Sequence, residues 1–377
     1  MSPRKEKIMY DCFDNAKGKL GFGCMRLPMK GDEVDTVEFS KMIDVFMEKG
    51  FNYFDTAHIY IGGKSETAIR ECLTSRYPRD SYVLTNKLSS PNFEKEEEIR
   101  PLIDSLLDAC GVEYFDFLLM HAQHTAYYEK YLACNAYEIA YQLKREGKVK
   151  HVGISFHDTA EVLERILSEQ PGVEVVQLQF NYLDYESDRV QSRLCYEVCR
   201  RYGIPVIVME PVRGGRLVNM PSAAKKVLED LNGGSLASYA IRFAAGFEGI
   251  EMVLSGMSNM EQMEDNLGYM SDFKPLDARE LEAVWKTRDI LTASDIIQCT
   301  ACEYCTAGCP AVINIPALFD LSNRRAAGEG KLRPIYAETC AESGKASDCI
   351  GCGRCENSCP QKLPIRSLLE RVAFEFE

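Results

Sequence analysis

Residues 115–121 read Phe-Asp-Phe-Leu-Leu-Met-His, a short, almost wholly apolar run that ends on a histidine. A run of this kind marks a strand buried on both faces, as in parallel sheets covered by helices. Seven more such runs surround it, at 20–25, 51–55, 82–87, 149–155, 173–181, 205–209 and 252–257. Between them the apolar residues change to three- and four-residue spacing, the helical period. Phe39, Met42, Ile43, Phe46 and Met47 form one such face, Ile99, Leu102, Ile103, Leu106 and Leu107 a second, and Val162, Ile166 and Leu167 a third. Asp158 and Thr159 stand where the third helix needs a cap. Eight strand–helix units over about 250 residues match the size and rhythm of a closed (β/α)8 TIM barrel. A doubly wound open sheet is the competing α/β architecture, but no Gly-x-Gly-x-x-Gly follows the first strand, as a dinucleotide-binding sheet would require.

The pattern changes after Met270. Residues 275–295 read as a polar helix with the only tryptophan, Trp285, and 315–325 as another. Around the second helix stand two cysteine quartets of identical spacing, Cys299, Cys302, Cys305 and Cys309, then Cys349, Cys352, Cys355 and Cys359, each closed by a proline. Three thiolates at intervals of three wrap one face of a [4Fe–4S] cubane, and in two-cluster ferredoxins the fourth, before Pro, ligates the other cluster. On that pattern Cys299, Cys302, Cys305 and Cys359 hold one cluster, and Cys349, Cys352, Cys355 and Cys309 the other. Pairing each fourth cysteine within its own motif is the alternative. Zinc ribbons also use Cys-x-x-Cys pairs, but need only two cysteines from each half. The domain boundary falls near residue 286, giving a barrel over 1–285 and a small, mostly helical ferredoxin-like domain over 286–377.

The chain has 377 residues, 46% hydrophobic and 27% charged, which is ordinary globular composition and the length of two domains. Its formal charge of −13 opposes nucleic-acid binding, which draws on surplus Lys and Arg. No apolar run reaches the roughly 18–20 residues of a membrane helix. The opening Met-Ser-Pro-Arg-Lys-Glu-Lys lacks the apolar centre of a secretion signal, so a cytoplasmic protein without membrane insertion is expected. The sixteen cysteines then do not read as a disulfide framework. Cys195 and Cys199, four apart on a helix, read as small buried residues rather than a ligand pair.

Four residues stand at predicted strand ends, where barrel enzymes keep their catalysts. They are Asp55 in Phe-Asp-Thr-Ala-His-Ile-Tyr, Tyr60 five residues on, Lys87 in Leu-Thr-Asn-Lys, and His121 in Phe-Leu-Leu-Met-His. In kind, order and context they resemble the catalytic tetrad of the aldo/keto reductases, over most of residues 19–270. With the C-terminal quartets the chain is similar to bacterial aldo/keto reductase–ferredoxin fusions. The resemblance implies an oxidoreductase that interconverts a carbonyl compound and an alcohol with NAD(H) or NADP(H). Tyr60 would supply the proton, Lys87 paired with Asp55 would ease its loss, and His121 would orient the carbonyl.

The same resemblance places Ser155 and Gln177 at the nicotinamide carboxamide. It puts Gly214 and Gly215 under the pyrophosphate, and Ser255, Gly256, Ser258, Gln262 and Asn266 around the adenosine phosphate and ribose. Three positions depart from the family. Its Asn after the strand-five Ser is Phe156, its stacking aromatic is Met209, and its phosphate-pairing Arg is Ser258, which removes a forked cation suited to a 2′-phosphate. Tyr127, Tyr128 and Tyr131 read equally as substrate-pocket lining or as packing. Clusters move single electrons and nicotinamide moves a hydride, so a flavin in the barrel or on a redox partner protein enters as mediator. The alternative function is an electron-transfer iron–sulfur protein whose barrel is a docking scaffold.

Overall fold

The computed structural model describes residues 12–293, 296–326 and 328–377. All eight apolar runs are strands: β1 Leu20–Gly23, β2 Tyr53–Asp55, β3 Val83–Leu88, β4 Phe115–Gln123, β5 Val149–Phe156, β6 Val175–Gln179, β7 Val206–Met209 and β8 Ile250–Ser255. They close into one parallel barrel in the order β1-β8-β7-β6-β5-β4-β3-β2. The expectation of a closed barrel is met, and no open edge is left to protect.

The interior is filled by side chains. Tyr53, Val83, Phe117, Leu119, Val175, Ile207, Met252 and Leu254 form one buried cluster, against which Phe13 and Ala16 pack. The Phe13 ring lies 5.2 Å from that of Phe117 and 6.3 Å from that of Tyr53. It therefore caps the end of the barrel at which the strands begin. The Tyr53 hydroxyl, buried in this core, is satisfied by Thr85 Oγ1 at 2.6 Å. Packing leaves no spare room: a Cβ on Gly153 of β5 would meet Val175 Cγ1 at 2.4 Å.

The helical faces read from spacing are the faces that are buried. Helix Thr36–Glu48 buries Phe39, Met42, Ile43 and Phe46, and its N-cap Asp35 accepts from the Glu38 backbone N–H. Helix Glu96–Cys110 buries Ile99, Ile103, Leu106 and Leu107 and stops at Gly111, whose φ of 65° suits glycine. Helix Ala160–Glu169 buries Leu163, Ile166 and Leu167. The expected cap differs. Thr159 makes no side-chain cap bond, and Ala160 N–H donates to Gln191 Oε1 at 3.0 Å. Asp158 Oδ2 instead accepts from Thr125 N–H and Oγ1, at the start of an earlier helix, Thr125–Ala133. A short carboxylate serves whichever amide the loop brings to it.

The chain divides into two compact units. One comprises the residues up to Pro211 with Ala237–Arg279, and the other Val212–Leu236 with Glu280–Glu377. The second contains helices Ile315–Ala326, Leu332–Thr339, Arg354–Ser358 and Ile365–Phe376. Ile315, Leu318, Phe319, Leu369, Val372 and Phe376 form its core with Cys305, Cys355 and Cys359. Tyr336 stacks on Phe376 with ring centroids 5.1 Å apart and planes 4° apart. The helix expected over 275–295 is observed as Ala278–Ala293, and Asp295 lies outside the described residues. Among the described residues no helix is long and apolar enough to cross a membrane.

Candidate active site and cluster sites

Asp55 is the last residue of β2, Lys87 stands near the end of β3 and His121 near the end of β4. Tyr60 opens the turn after β2, where Ile61, Gly62 and Gly63 all take positive φ and swing the chain back over the strand ends. The barrel thus brings the four residues to one rim. Lys87 is fully buried, and its Nζ donates to Asp55 Oδ1 at 2.5 Å and to Thr56 O at 2.8 Å. Asp55 Oδ2 accepts from Gln177 Nε2 at 2.9 Å. A buried charge pair is tolerated only when its remaining hydrogen-bonding capacity is met in this way. Lys87 Nζ lies 4.9 Å from the centre of the Tyr60 ring, and the Tyr60 ring meets His121 edge-on at 6.1 Å. His121 Nδ1 and Ser89 Oγ share a hydrogen bond of 2.7 Å.

Burial dominates the proton affinities here. It lowers the Lys87 ammonium below the ordinary lysine value, with Asp55 opposing. It raises the Tyr60 hydroxyl well above the phenol value, helped by Asp55 and Glu210 and opposed by Arg26. The sequence led us to expect a cation easing proton loss from Tyr60, but the net direction in the resting site is upward. Burial and then Lys87 press His121 well below the ordinary imidazole value. Near neutrality Tyr60 therefore holds its proton and His121 is uncharged.

Sequence reasoning passed over Thr56 and Ser89. Ser89 stands two residues beyond Lys87, where strand alternation returns a side chain to the same face; that was the available signal. Tyr128 and Tyr131 are packing residues, fully buried, with their hydroxyls bonded to Glu169 Oε2 and Leu88 O. Tyr127 lies against His124, ring centres 4.2 Å apart. Cys195 and Cys199 are buried as free thiols.

The residues expected around a nucleotide fall into three groups. Ser155 Oγ accepts from Ala122 N–H at 2.8 Å, and Gln177 is the residue already bonded to Asp55. Ser255 Oγ accepts from Asn266 Nδ2 at 2.7 Å, and Ser258 N–H donates to Gln262 Oε1 at 2.8 Å. These residues and exposed Gly256 surround the N-terminus of helix Met260–Met270, capped by Asn259, an end suited to an anion. Gly214 and Gly215 belong to the second unit instead. A Cβ on Gly214 would stand 2.2 Å from Thr300 O, so this turn lies against the backbone between Cys299 and Cys302.

In the second unit the cysteines group by the crossed pattern. Cys299, Cys302, Cys305 and Cys359 line one pocket with Ile315, Phe319 and Leu363. Cys309, Cys349, Cys352 and Cys355 line another with Ile313, Ile350 and Leu369. Among the described residues no three His, Cys, Asp or Glu side chains are gathered to hold a single metal ion. The thiols ring a volume with apolar walls, which fits the cubane that the spacing predicts.

The family model for the aldo/keto reductases matches residues 19–288. The chain belongs to the aldo/keto reductase family. A model for a 4Fe-4S dicluster domain matches residues 298–365, so this aldo/keto reductase is an oxidoreductase with a ferredoxin-type domain in the same chain. It is 25% identical to L-galactose dehydrogenase of Arabidopsis thaliana over 248 residues, 60% of this chain and 76% of the plant protein. An uncharacterized oxidoreductase of Bacillus subtilis is 21% identical over 74% of this chain and 95% of its own length. Two solved structures share the fold. An aldo-keto reductase from Bacillus halodurans in its holo form gives a TM-score of 0.59 at 22% identity, covering 71% of this chain and 91% of that one. An aldo-keto reductase from Klebsiella pneumoniae in complex with NADPH gives 0.58 at 18%, covering 71% and 90%.

Proposed function

We propose that this aldo/keto reductase interconverts a small carbonyl compound and an alcohol with NADH or NADPH at Asp55, Tyr60, Lys87 and His121, and that two [4Fe–4S] clusters exchange electrons with this chemistry. Catalysis is assigned to the barrel of 1–285 and cluster ligation to 286–377, in a cytoplasmic protein. One observation carries the reading: a wholly buried lysine, held by Asp55 and Thr56, has its ammonium 4.9 Å from the Tyr60 ring. Nothing in the packing of a barrel requires a buried cation beside a phenol, whereas delivering a proton to a developing alkoxide does.

The nicotinamide, when bound, supplies the hydride. Tyr60 gives its hydroxyl proton to the alkoxide oxygen, and the phenolate left behind is stabilised by Lys87. With Nδ1 accepting from Ser89, His121 keeps its proton on Nε2 and orients the substrate carbonyl by a hydrogen bond from that N–H. Ser155, whose Oγ accepts from Ala122 N–H, offers its hydroxyl proton to the carboxamide. The N-terminus of helix Met260–Met270, with Ser258 and Gln262, takes the nucleotide phosphate. Each cluster would carry one electron where nicotinamide carries two, so a flavin on this chain or on a redox partner protein is a candidate mediator, and the flavin content of the purified protein tests the first of these. Tyr60→Phe should abolish turnover while iron content stays at the wild-type level. Retained turnover in that variant would remove the tetrad from the mechanism.

A second reading, an electron carrier with the barrel as scaffold, is favoured by three side chains. Phe156 is buried where the family has an Asn, Met209 offers no aromatic face, and Ser258 brings no cation. Titration calorimetry with NADH and NADPH decides: no heat of binding, with clusters that still reduce reversibly, selects the carrier.

A further inference from the structure

The turn after β7 is the least expected feature of the second unit. Arg213, 4% exposed, donates through Nη1 to Gln298 O at 3.2 Å and Gln298 Oε1 at 2.8 Å, and through Nη2 to Gln361 Oε1 at 3.2 Å. Gln298 precedes Cys299, and Gln361 stands two residues after Cys359. Arg216 donates through Nε to the carbonyl of Cys299 itself. Gly214, between them, makes the approach possible, since any Cβ there would collide with Thr300 O. Two guanidiniums are thus fixed to the backbone at Gln298 and Cys299, and one of them also reaches the side chain of Gln361 beyond Cys359.

The second pocket is built differently. Arg366 is half exposed and donates to Glu356, the residue after Cys355, through Nε at 2.9 Å and Nη2 at 2.8 Å. Its charge is neutralised by its own partner and screened by water. Cys352 of this quartet is exposed, whereas Cys305 and Cys359 of the first are buried.

A cluster gains one negative charge on reduction, so a fixed cation in a poorly hydrated site favours the reduced form and raises the potential. We propose that Arg213 and Arg216 make the two clusters unequal, so that the cluster of Cys299, Cys302, Cys305 and Cys359 has the higher potential and is where an electron comes to rest. This inference rests on the two-cluster reading above. The turn that the family uses under a pyrophosphate serves here as an electrostatic clamp on a cluster.

The test is a potentiometric titration of the full-length protein, purified without oxygen and followed by EPR, after iron and sulfide analysis. Absent iron–sulfur content would overturn the two-cluster reading and this inference with it. With both clusters present, the wild type should reduce in two resolved steps. Arg216→Gln keeps a donor for Cys299 O but removes the charge. It should lower the reduced-to-oxidised ratio of the first-reduced cluster at least tenfold at fixed poise, about 59 mV for one electron, and leave the other step in place. Arg216→Lys should restore most of that shift. The double variant Arg366→Gln/Glu356→Gln, which leaves net charge unchanged, should move neither step by as much as twofold. A single step in the wild type, an unshifted midpoint in Arg216→Gln, or a shift of the later step alone would overturn the proposal. Should Arg216→Gln lose iron, Arg213→Gln is titrated against the same criterion.

Discussion

Lys87 carries a charge with no part of its side chain in water, and the Asp55 carboxylate is what makes that tolerable. Removing one member of a buried pair strands the other and costs about 3–5 kcal/mol. Lys87→Met should lower stability to urea by that amount, and Asp55→Asn/Lys87→Met should recover most of it, because no unpaired charge remains. A double variant as unstable as the single one would mean that the ion pair is not what links the two positions. His121 gives the same site a pH dependence. Burial and Lys87 hold it neutral in the fold, whereas the unfolded chain binds a proton near the ordinary value of about 6.5. A depressed folded-state value contributes stability that is whole above about pH 6.5 and is lost as pH falls below it. Acidification from about pH 7.5 to about pH 5.5 should therefore lower the unfolding midpoint, and His121→Gln should flatten that slope. Equal slopes in mutant and wild type would place the sensitive group elsewhere.

Among the elements, the turn at Gly214 is the most exposed to a single change. Its φ of 62° is left-handed, and Thr300 O fills the place of a Cβ. Gly214→Ala should strain the turn by about 1–3 kcal/mol and quicken iron loss to a chelator, and an unchanged rate would show that the turn does not brace the Cys299 loop. This element also marks where reading a sequence stops. The strands were legible because burial on both faces leaves a continuous apolar signature, and Asp55, Lys87 and His121 were legible because strand ends are where such a barrel displays polar groups. A glycine pair carries no such address: its freedom says that something comes close, not what. Resemblance names a pyrophosphate for this pair, and the fold adds that Thr300 O closes on Gly214. The cap of helix Ala160–Glu169 was missed for a like reason, since Gln191 reaches it from 31 positions away.

For the whole molecule the consequence is two units stabilised by different means. The barrel has a filled interior of its own, in which Tyr53, Phe117, Leu119, Met252 and Leu254 pack with Cys12. The second unit was legible through its quartets, because spacing alone sets which thiolates reach one cubane face. The exchange of Cys309 and Cys359, however, is a tertiary fact that spacing leaves open. That exchange ties residues 299–309 to 349–359, and Cys305, Cys355 and Cys359 belong to the hydrophobic core itself. When ligands are part of a small core, ligand binding and folding are one equilibrium. Stripping the clusters with a chelator under reducing conditions should therefore unfold the second unit and leave the barrel. The only tryptophan, Trp285, groups with the second unit and has the Arg288 guanidinium 4.7 Å from its ring, so its fluorescence follows that unit's transition. Calorimetry of the holoprotein should show two transitions, with the one followed by Trp285 missing after chelation. The second should persist within a few degrees and remain visible in near-ultraviolet tyrosine dichroism. Loss of both together would mean that the barrel depends on the cluster unit for its stability, and loss of neither would mean that the thiols pack without needing iron.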